Sequence, residues 1–489
     1  MNIKPLSLSL SLSLSVVSSM AQLSKLNVIE QCQVSTPQNS STPQACYHLP
    51  LTFLDIPWLF FSPSQPLFFY EFPYPTSHFT SITLPNLKHS LSLTLQLFYP
   101  FAGALLARPE PGKPELVYSQ GDSVSFTVVE SNADFGYLSG NYQRYVEEFN
   151  TLVPQLASTG APSSNCAAKI SLLSVQITLF PNCGICIGLA YHHVVADKRT
   201  FNNFIKTWAS LSRHSFFPTK SILPSYDRKA IVDPYKLEGI FLKEWWKRIS
   251  SQGAIIGNTK TAMLDPTSMV RATFLMDLTR MERIKNWIVN LCNKGNEPLP
   301  VHLSAYVLTC AFVWISLIKS QEKYFNYKCC GQNPNYFGFI AGGLTRLNHP
   351  VPSTYVGNCV GFGRAAAIRS ELLGDNGIVV AARAIGNTVK KLDKVIFGGA
   401  EKWISDWKIM FESDLHVMVS GSPKVDLYET DFGLGRPKKI EDVGVDGTKA
   451  IALTESRDVS GGIEVGLVLP KPQMDYFSTY FIEGLNATP

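Results

Sequence analysis

His192-His193-Val194-Val195-Ala196-Asp197 stands where an apolar strand pattern ends and a helical period begins. Before it, Ile170 to Leu179 alternates apolar and polar residues, Pro181-Asn182-Cys183-Gly184 reads as a turn, and Ile185 to Tyr191 resumes as a strand. Together these predict a β-hairpin. After it, Phe201, Phe204, Ile205, Trp208 and Leu211 recur at helical spacing, so a helix follows Asp197. Side chains at such a strand-to-helix junction project from a rigid edge, where functional groups are commonly carried. Imidazole titrates near neutrality and can take a proton from an alcohol. A carboxylate four positions on can orient the turn or cap the helix. On the residues alone, HxxxD is a weak pattern, and a strand-end His pair with a helix-capping Asp and no chemistry fits it better.

The rest of the chain extends this mixed pattern on both sides. Residues 27–75, rich in Pro, Ser and aromatics, read as irregular backbone with one short strand. Leu84, Leu87, Leu91, Leu95 and Phe98 predict a helix ending at Pro100, and Phe101 to Leu106 opens a strand. Residues 214–260 read as a crossover linker with a short helix at Phe241 to Ile249. Beyond it, Arg271–Asp277 is a strand, a helix runs through Trp287 and Leu291, and Ser304 to Ile318 is a strongly apolar helix. Further strands are expected at Tyr336–Ala341, Val417–Ser420 and Gly462–Leu469. At roughly 100–200 residues per domain, 489 residues suggest two or three domains. Strands and helices mixed in both halves imply a two-domain α/β or α+β architecture.

Composition narrows the function classes. With 45% hydrophobic and 17% charged residues the chain can fill large cores, which excludes intrinsic disorder. A net charge of +5 without basic clusters does not point to nucleic acid. Ten cysteines in this length match the occasional thiols of a cytoplasmic protein rather than a disulfide scaffold. Leu6 to Ser15 alternates Leu and Ser. Half Ser and without a clear A-x-A cleavage site, it reads as a low-complexity extension ahead of Met20 rather than a secretory signal. No segment reaches about 18 uninterrupted apolar residues, so no transmembrane helix and no membrane partner are expected.

Other motifs are weaker. Tyr428-Glu429-Thr430-Asp431-Phe432-Gly433-Leu434-Gly435-Arg436-Pro437 specifies a tight loop in which Asp431 bonds its own loop amides or pairs with a cation. Gly433 and Gly435 lack the third glycine and the strand–loop–helix unit of a dinucleotide fingerprint. Cys183 and Cys186 have CxxC spacing but fall in the hairpin, and Cys329-Cys330 reads as a surface-loop pair. There is no HExxH and no P-loop, and no metal site is expected.

Taken jointly, His193-Val-Val-Ala-Asp197 and Asp431-Phe-Gly-Leu-Gly435, in that order, resemble the HxxxD and DFGWG signatures of the plant BAHD acyltransferases. The likeness runs from about Leu26 to the end. Leu51-Thr-Phe-Leu-Asp55-Ile-Pro57-Trp58, Tyr355-Val-Gly-Asn-Cys359 (similar to YFGNC) and Ser420-Gly-Ser-Pro-Lys424 resemble the anthocyanin, flavonoid and phenolic glucoside malonyltransferases within it. The resemblance implies an α/β (α+β), two-domain chloramphenicol-acetyltransferase-like fold with an active-site channel between the domains. Its parts would be the extension 1–20, an N-terminal domain 21–213 carrying HxxxD, the linker 214–260 and a C-terminal domain 261–489. The implied activity is transfer of malonyl from malonyl-CoA to a hydroxyl of a flavonoid or phenolic glucoside, in a ternary complex, by a monomer. Malonyl-CoA is a co-substrate, with no bound cofactor. Acetyl-CoA or an aromatic acyl-CoA is the alternative donor.

By the same resemblance His193 is the general base, Asp197 faces away and shapes the site, and Asp431 holds its loop. A malonyl carboxylate asks for cations or several donors, and Lys198 and Arg199 are the candidates. Ser304, Ser420 and Ser422 match positions near CoA. Three departures bear on activity. Lys198 stands where the family has Gly, and Leu434 replaces the DFGWG Trp. Gly342 and Leu344 occupy the Asp and Arg positions of a D-x-R element whose Arg pairs with the HxxxD Asp. Asp197 is then expected to lack its cation unless Arg346 substitutes, which implies an impaired enzyme or a ligand-binding paralogue as the alternative function.

Overall fold

The computed structural model describes residues 26–37, 46–108, 110–159, 168–214, 223–252, 268–325, 332–412, 416–445 and 450–486. The Leu-Ser extension, Cys329-Cys330 and residues 215–222 and 253–260 of the linker lie outside them.

Two large sheets carry the fold. The first has six strands in the spatial order Leu26–Ser35, Ser123–Ser131, Leu173–Phe180, Gly184–Tyr191, Pro66–Glu71 and Lys439–Asp442. The second has seven: Val360–Ile368, Pro334–Gly342, His416–Gly421, Ala450–Glu455, Ile463–Pro470, Met269–Met276 and Arg144–Tyr145. A smaller five-stranded sheet, from Cys46–Pro50 to Ser158–Thr159, flanks the first. Each large sheet ends on a strand from the other half of the chain. Lys439–Asp442 pairs antiparallel with Pro66–Glu71, and Arg144–Tyr145 pairs with Met269–Met276.

The expected hairpin is Leu173–Phe180 against Gly184–Tyr191, with Asn182 in the left-handed region at its turn. All sixteen of its strand residues are buried, polar Ser174, Gln176 and Thr178 included. The alternation in its first strand therefore does not separate core from solvent. Gln176 instead satisfies its amide by donating to the Thr151 carbonyl and to Thr178 Oγ1. The helix after Asp197 is Lys198–His214. It packs on Leu84–Leu97, where Trp208 Nε1 donates to the Leu87 carbonyl at 3.1 Å and Asn86 Nδ2 to that of Ser212 at 2.7 Å. The apolar helix, Ala305–Phe325, is covered by the helices Gly377–Lys394 and Lys471–Asn486. One expectation fails. Residues 27–75 contain three strands, not one, besides a short 3-10 turn at Ile56–Phe60. Pro66–Glu71 is sandwiched between neighbours, so its first five residues are all buried and no two-residue period marks it.

The strand exchange centres on Glu441. Arg144 and Arg271 stand opposite one another in register, an arrangement of like charges that is unfavourable alone. Glu441 accepts from Arg144 Nη2 at 2.7 Å and from Arg271 Nη1 at 2.9 Å, with all three side chains buried. Both guanidinium groups also lie over the Phe149 ring, 5.2 and 4.8 Å from its centroid. Burial alone would raise the Glu441 carboxyl, but Arg144, Arg271 and Lys439 outweigh it and hold it at about 2, against an ordinary 4.5. Because the folded value is depressed, this stabilisation is complete above about pH 4.5 and is lost as pH falls through 2. Glu441→Ala strands two buried cations and should cost about 3–5 kcal/mol in urea unfolding at pH 7. A change below about 1 kcal/mol would remove Glu441 from this role.

Candidate active site

The strand Gly184–Tyr191 delivers His193 to its end, and Asp197 caps the helix that follows. The Asp197 Oδ1 accepts from Thr200 N–H at 2.8 Å, and its Oδ2 accepts from the backbone N–H of Cys359 at 3.1 Å. The Asp197 N–H in turn donates to the Gly357 carbonyl at 3.4 Å. One carboxylate thus closes the turn and staples it to the segment Tyr355–Cys359 from the second half of the chain. Gly357 there has φ +139°, and a Cβ would collide with the Arg228 guanidinium, so glycine is required.

His193 stacks on Trp58, with ring centroids 3.7 Å apart and planes at 13°. Its Nδ1 meets Asn358 Oδ1 at 3.1 Å. The Asn358 amide nitrogen is taken by Asp55 Oδ1 at 2.9 Å and the His193 carbonyl at 3.0 Å, which leaves the oxygen edge to the imidazole. Nδ1 therefore carries the proton, and Nε2 is left with its lone pair. His193 is partly exposed and lines a cavity of about 460 Å³. Burial, opposed by Asp197 and the Asn358 hydrogen bond, pulls its pKa down to about 4. His192 is lowered further, to about 3, by burial and by His193, but it is 1% exposed and does not line the cavity. Its Nδ1 accepts from the Val194 N–H.

The candidate site residues separate into two groups. Lys198, Arg199, Ser420 and Ser422 line the cavity with His193 and Asp197. Lys198 Nζ lies 3.8 Å from Asp442, and Arg199 donates to the Ser353 carbonyl at 2.8 Å. Ser304 and Asp431 are not among the lining residues. Ser304 accepts from Val307 N–H at the start of the apolar helix. Asp431 Oδ1 accepts from the N–H groups of Gly433 and Gly435, both at positive φ, and its Oδ2 pairs with Arg213 at 2.9 Å. Phe432 of the same loop packs edge-on against Tyr70 and Trp208. Leu434 packs on the core at the position of the missing Trp. Cys186 is a buried core thiol, as its mid-strand position implies.

Two expectations need correction. Asp197 does not lack partners. Besides its two backbone N–H donors, Arg199 Nη2 lies 3.6 Å from Oδ1. Arg346 does not substitute for the missing Arg. It is held by Asp393 at 3.0 Å and donates to the Gly342 carbonyl. Lys198, in place of Gly, starts its helix without a positive φ, so it does not distort the turn and only adds a cation to the wall. The sequence does not mark Asn358, Asp55, Trp58 or Arg228 as site residues. Asp55, Trp58 and Asn358 sit in the quoted stretches Leu51–Trp58 and Tyr355–Cys359, but nothing in one sequence joins positions 165 or 303 residues apart.

Comparison with known proteins agrees with this geometry. The family model described as "Transferase family" matches residues 25–483. A malonyl-coenzyme:anthocyanin 5-O-glucoside-6'''-O-malonyltransferase of Salvia splendens is 36% identical, over 94% of this chain and 96% of that protein. Coumaroyl-CoA:anthocyanidin 3-O-glucoside-6''-O-coumaroyltransferase 2 of Arabidopsis thaliana is 35% identical, over 95% and 99%. Phenolic glucoside malonyltransferase 2 of the same plant is 35% identical, over 94% and 100%. Among solved structures, vinorine synthase shares the fold with a TM-score of 0.66 at 19% identity, covering 94% of this chain and 98% of that one. TRI101 of F. sporotrichioides, complexed with coenzyme A and T-2, shares it with a TM-score of 0.61 at 14% identity, covering 87% and 96%. With a two-domain α/β fold and near full-length likeness to such enzymes, the chain belongs to the transferase family of BAHD acyltransferases.

Proposed function

We propose that this acyltransferase moves malonyl from malonyl-CoA to a hydroxyl of a glucosylated flavonoid or other phenolic, with His193 as general base. The observation that carries the reading is His193 itself: Nδ1 engaged by Asn358, Nε2 unoccupied, on the wall of a cavity that also bears Lys198, Arg199, Arg346 and Lys424. Nε2 takes the proton of the acceptor hydroxyl as its oxygen attacks the thioester carbonyl. The carbon–oxygen bond forms, a tetrahedral oxyanion results, and its collapse breaks the carbon–sulfur bond. The departing CoA thiolate recovers the proton from the imidazolium. A positioned base contributes roughly 10²–10⁴-fold. Asp197 and Asp431 act by holding backbone, which agrees with their bonds. Lys198 and Arg199 serve the donor carboxylate, and Ser420 and Ser422 the CoA arm. The seven described cysteines, all free, support a cytoplasmic site. Among the described residues no helix is long and apolar enough to cross a membrane.

A second reading keeps the mechanism and changes the donor to an aromatic acyl-CoA. Trp58, Phe61, Ile340, Leu344 and Val425 give the cavity an apolar wall suited to a ring, and relatives acting with coumaroyl-CoA match this chain as well as the malonyl enzymes do. Against the impaired-paralogue reading stands the Asp197 carboxylate, which is engaged by Thr200, Cys359 and Arg199.

Three outcomes follow. His193→Ala should lower kcat about 10²–10⁴-fold with an unchanged melting temperature, and activity within about tenfold of wild type would remove His193 as the base. Since the folded pKa of His193 lies near 4, below its ordinary 6.5, the acid limb of kcat/KM should fall well below pH 6. A limb near pH 6.5 would contradict the burial argument. Lys198→Ala and Arg199→Ala together should raise KM for malonyl-CoA about tenfold or more and leave that for p-coumaroyl-CoA nearly unchanged. An equal change for both donors would favour the aromatic reading.

A further inference from the structure

We propose that Asp55 is a positioning residue that dictates the tautomer of His193 through the side-chain amide of Asn358. The inference rests on the role of His193 as base. Asp55 is fully buried in the turn before Ile56–Phe60. Its Oδ2 accepts from the N–H and hydroxyl of Thr52 at 2.8 and 2.7 Å, and Arg228 Nη1, reaching in from the linker, lies 3.5 Å away. Its Oδ1 accepts from both the backbone N–H and the side-chain NH₂ of Asn358, at 3.0 and 2.9 Å.

An ionised carboxylate only accepts hydrogen bonds. An Asn amide turned by 180° would set its oxygen against the Asp55 carboxylate, oxygen facing oxygen, and would lose the bond to the His193 carbonyl. Asp55 thereby forces the NH₂ edge toward itself and the oxygen edge toward His193 Nδ1. That oxygen accepts, so Nδ1 must hold the proton and Nε2 must stand bare toward the cavity. The opposite amide orientation would put the proton on Nε2 and leave no base. Arg228 helps to hold the carboxylate in place. Its own Nη1 is bound by the Tyr355 hydroxyl at 2.7 Å and the Val356 carbonyl at 3.0 Å. Three separate parts of the chain therefore act on one ring nitrogen.

The test uses the full-length protein with ¹⁵N-labelled histidine at pH 7.5, the His193 resonances being assigned with His193→Gln. Wild type should show a protonated, pyrrole-type Nδ1 and a pyridine-type Nε2. In Asp55→Asn the residue can donate as well as accept, the amide is no longer locked, and the two resonances should move toward one another. With malonyl-CoA and an anthocyanidin 3-O-glucoside, kcat should drop in proportion to the loss of the Nδ1–H tautomer that the resonances report, while KM for the donor stays within about threefold. Asp55→Asn leaves the Arg228 charge without its partner. If that variant does not fold, Asp55→Asn/Arg228→Met removes both charges and must show the same tautomer change. A folded variant of either kind that keeps the Nδ1–H tautomer overturns the proposal. Absence of turnover in wild type, together with a tautomer that responds to Asp55→Asn, sinks the malonyl reading and supports the role of Asp55.

Discussion

A carboxylate buried between two guanidinium groups sets the frame of this molecule. Removing Glu441, Arg144 and Arg271 from water is expensive, and their mutual contact, with hydrogen bonds to the Leu138, Tyr142 and Asp442 carbonyls, offsets it. Such a cluster tolerates one arrangement. It pins the register of Lys439–Asp442 against Pro66–Glu71, and the backbone carbonyl of Asp442 is held in the same grip by Arg271. Asp442 is thereby presented to the cavity wall beside Lys198. The place of one acidic group on the cavity wall is thus fixed by a salt cluster whose three members do not line that cavity.

A second seam, at the cavity, runs through Asp197 and Asn358. Asp197 binds groups from both halves of the chain, and Asn358, itself from the second half, binds Asp55, His193 and Val194 from the first. Two adjacent histidines show what separates a functional imidazole from a structural one. Both are pushed toward the neutral form by burial. Only His193 combines that neutrality with an acceptor on one nitrogen, a stacked indole on its face and an opening on its other nitrogen.

Much of this was legible in the chain. The hairpin, the helix after Asp197 and the apolar helix carry strong periods or long apolar runs, and they fall where expected. Pro66–Glu71 escaped because a strand buried on both faces has no alternation to read, and Leu26–Ser35 because its burial follows no two-residue period. The HxxxD residues were visible as a motif. The partners that orient them were not. Arg228 sits in a stretch that reads as linker, and its destination is decided by tertiary packing. Arg346 is close in sequence to the missing Arg, but Asp393 holds that side chain, and the guanidinium beside Asp197 belongs to Arg199, two residues on.

The exchange of edge strands also has a temporal side. Synthesis runs from the N-terminus, and one edge of Pro66–Glu71 finds its partner only in Lys439–Asp442. For most of translation the first sheet therefore offers an open row of backbone donors and acceptors, the kind of edge that invites pairing with other chains. Arg144 is likewise made long before its counter-charge. The first sheet thus gains its last strand, Lys439–Asp442, only long after its other five have been made.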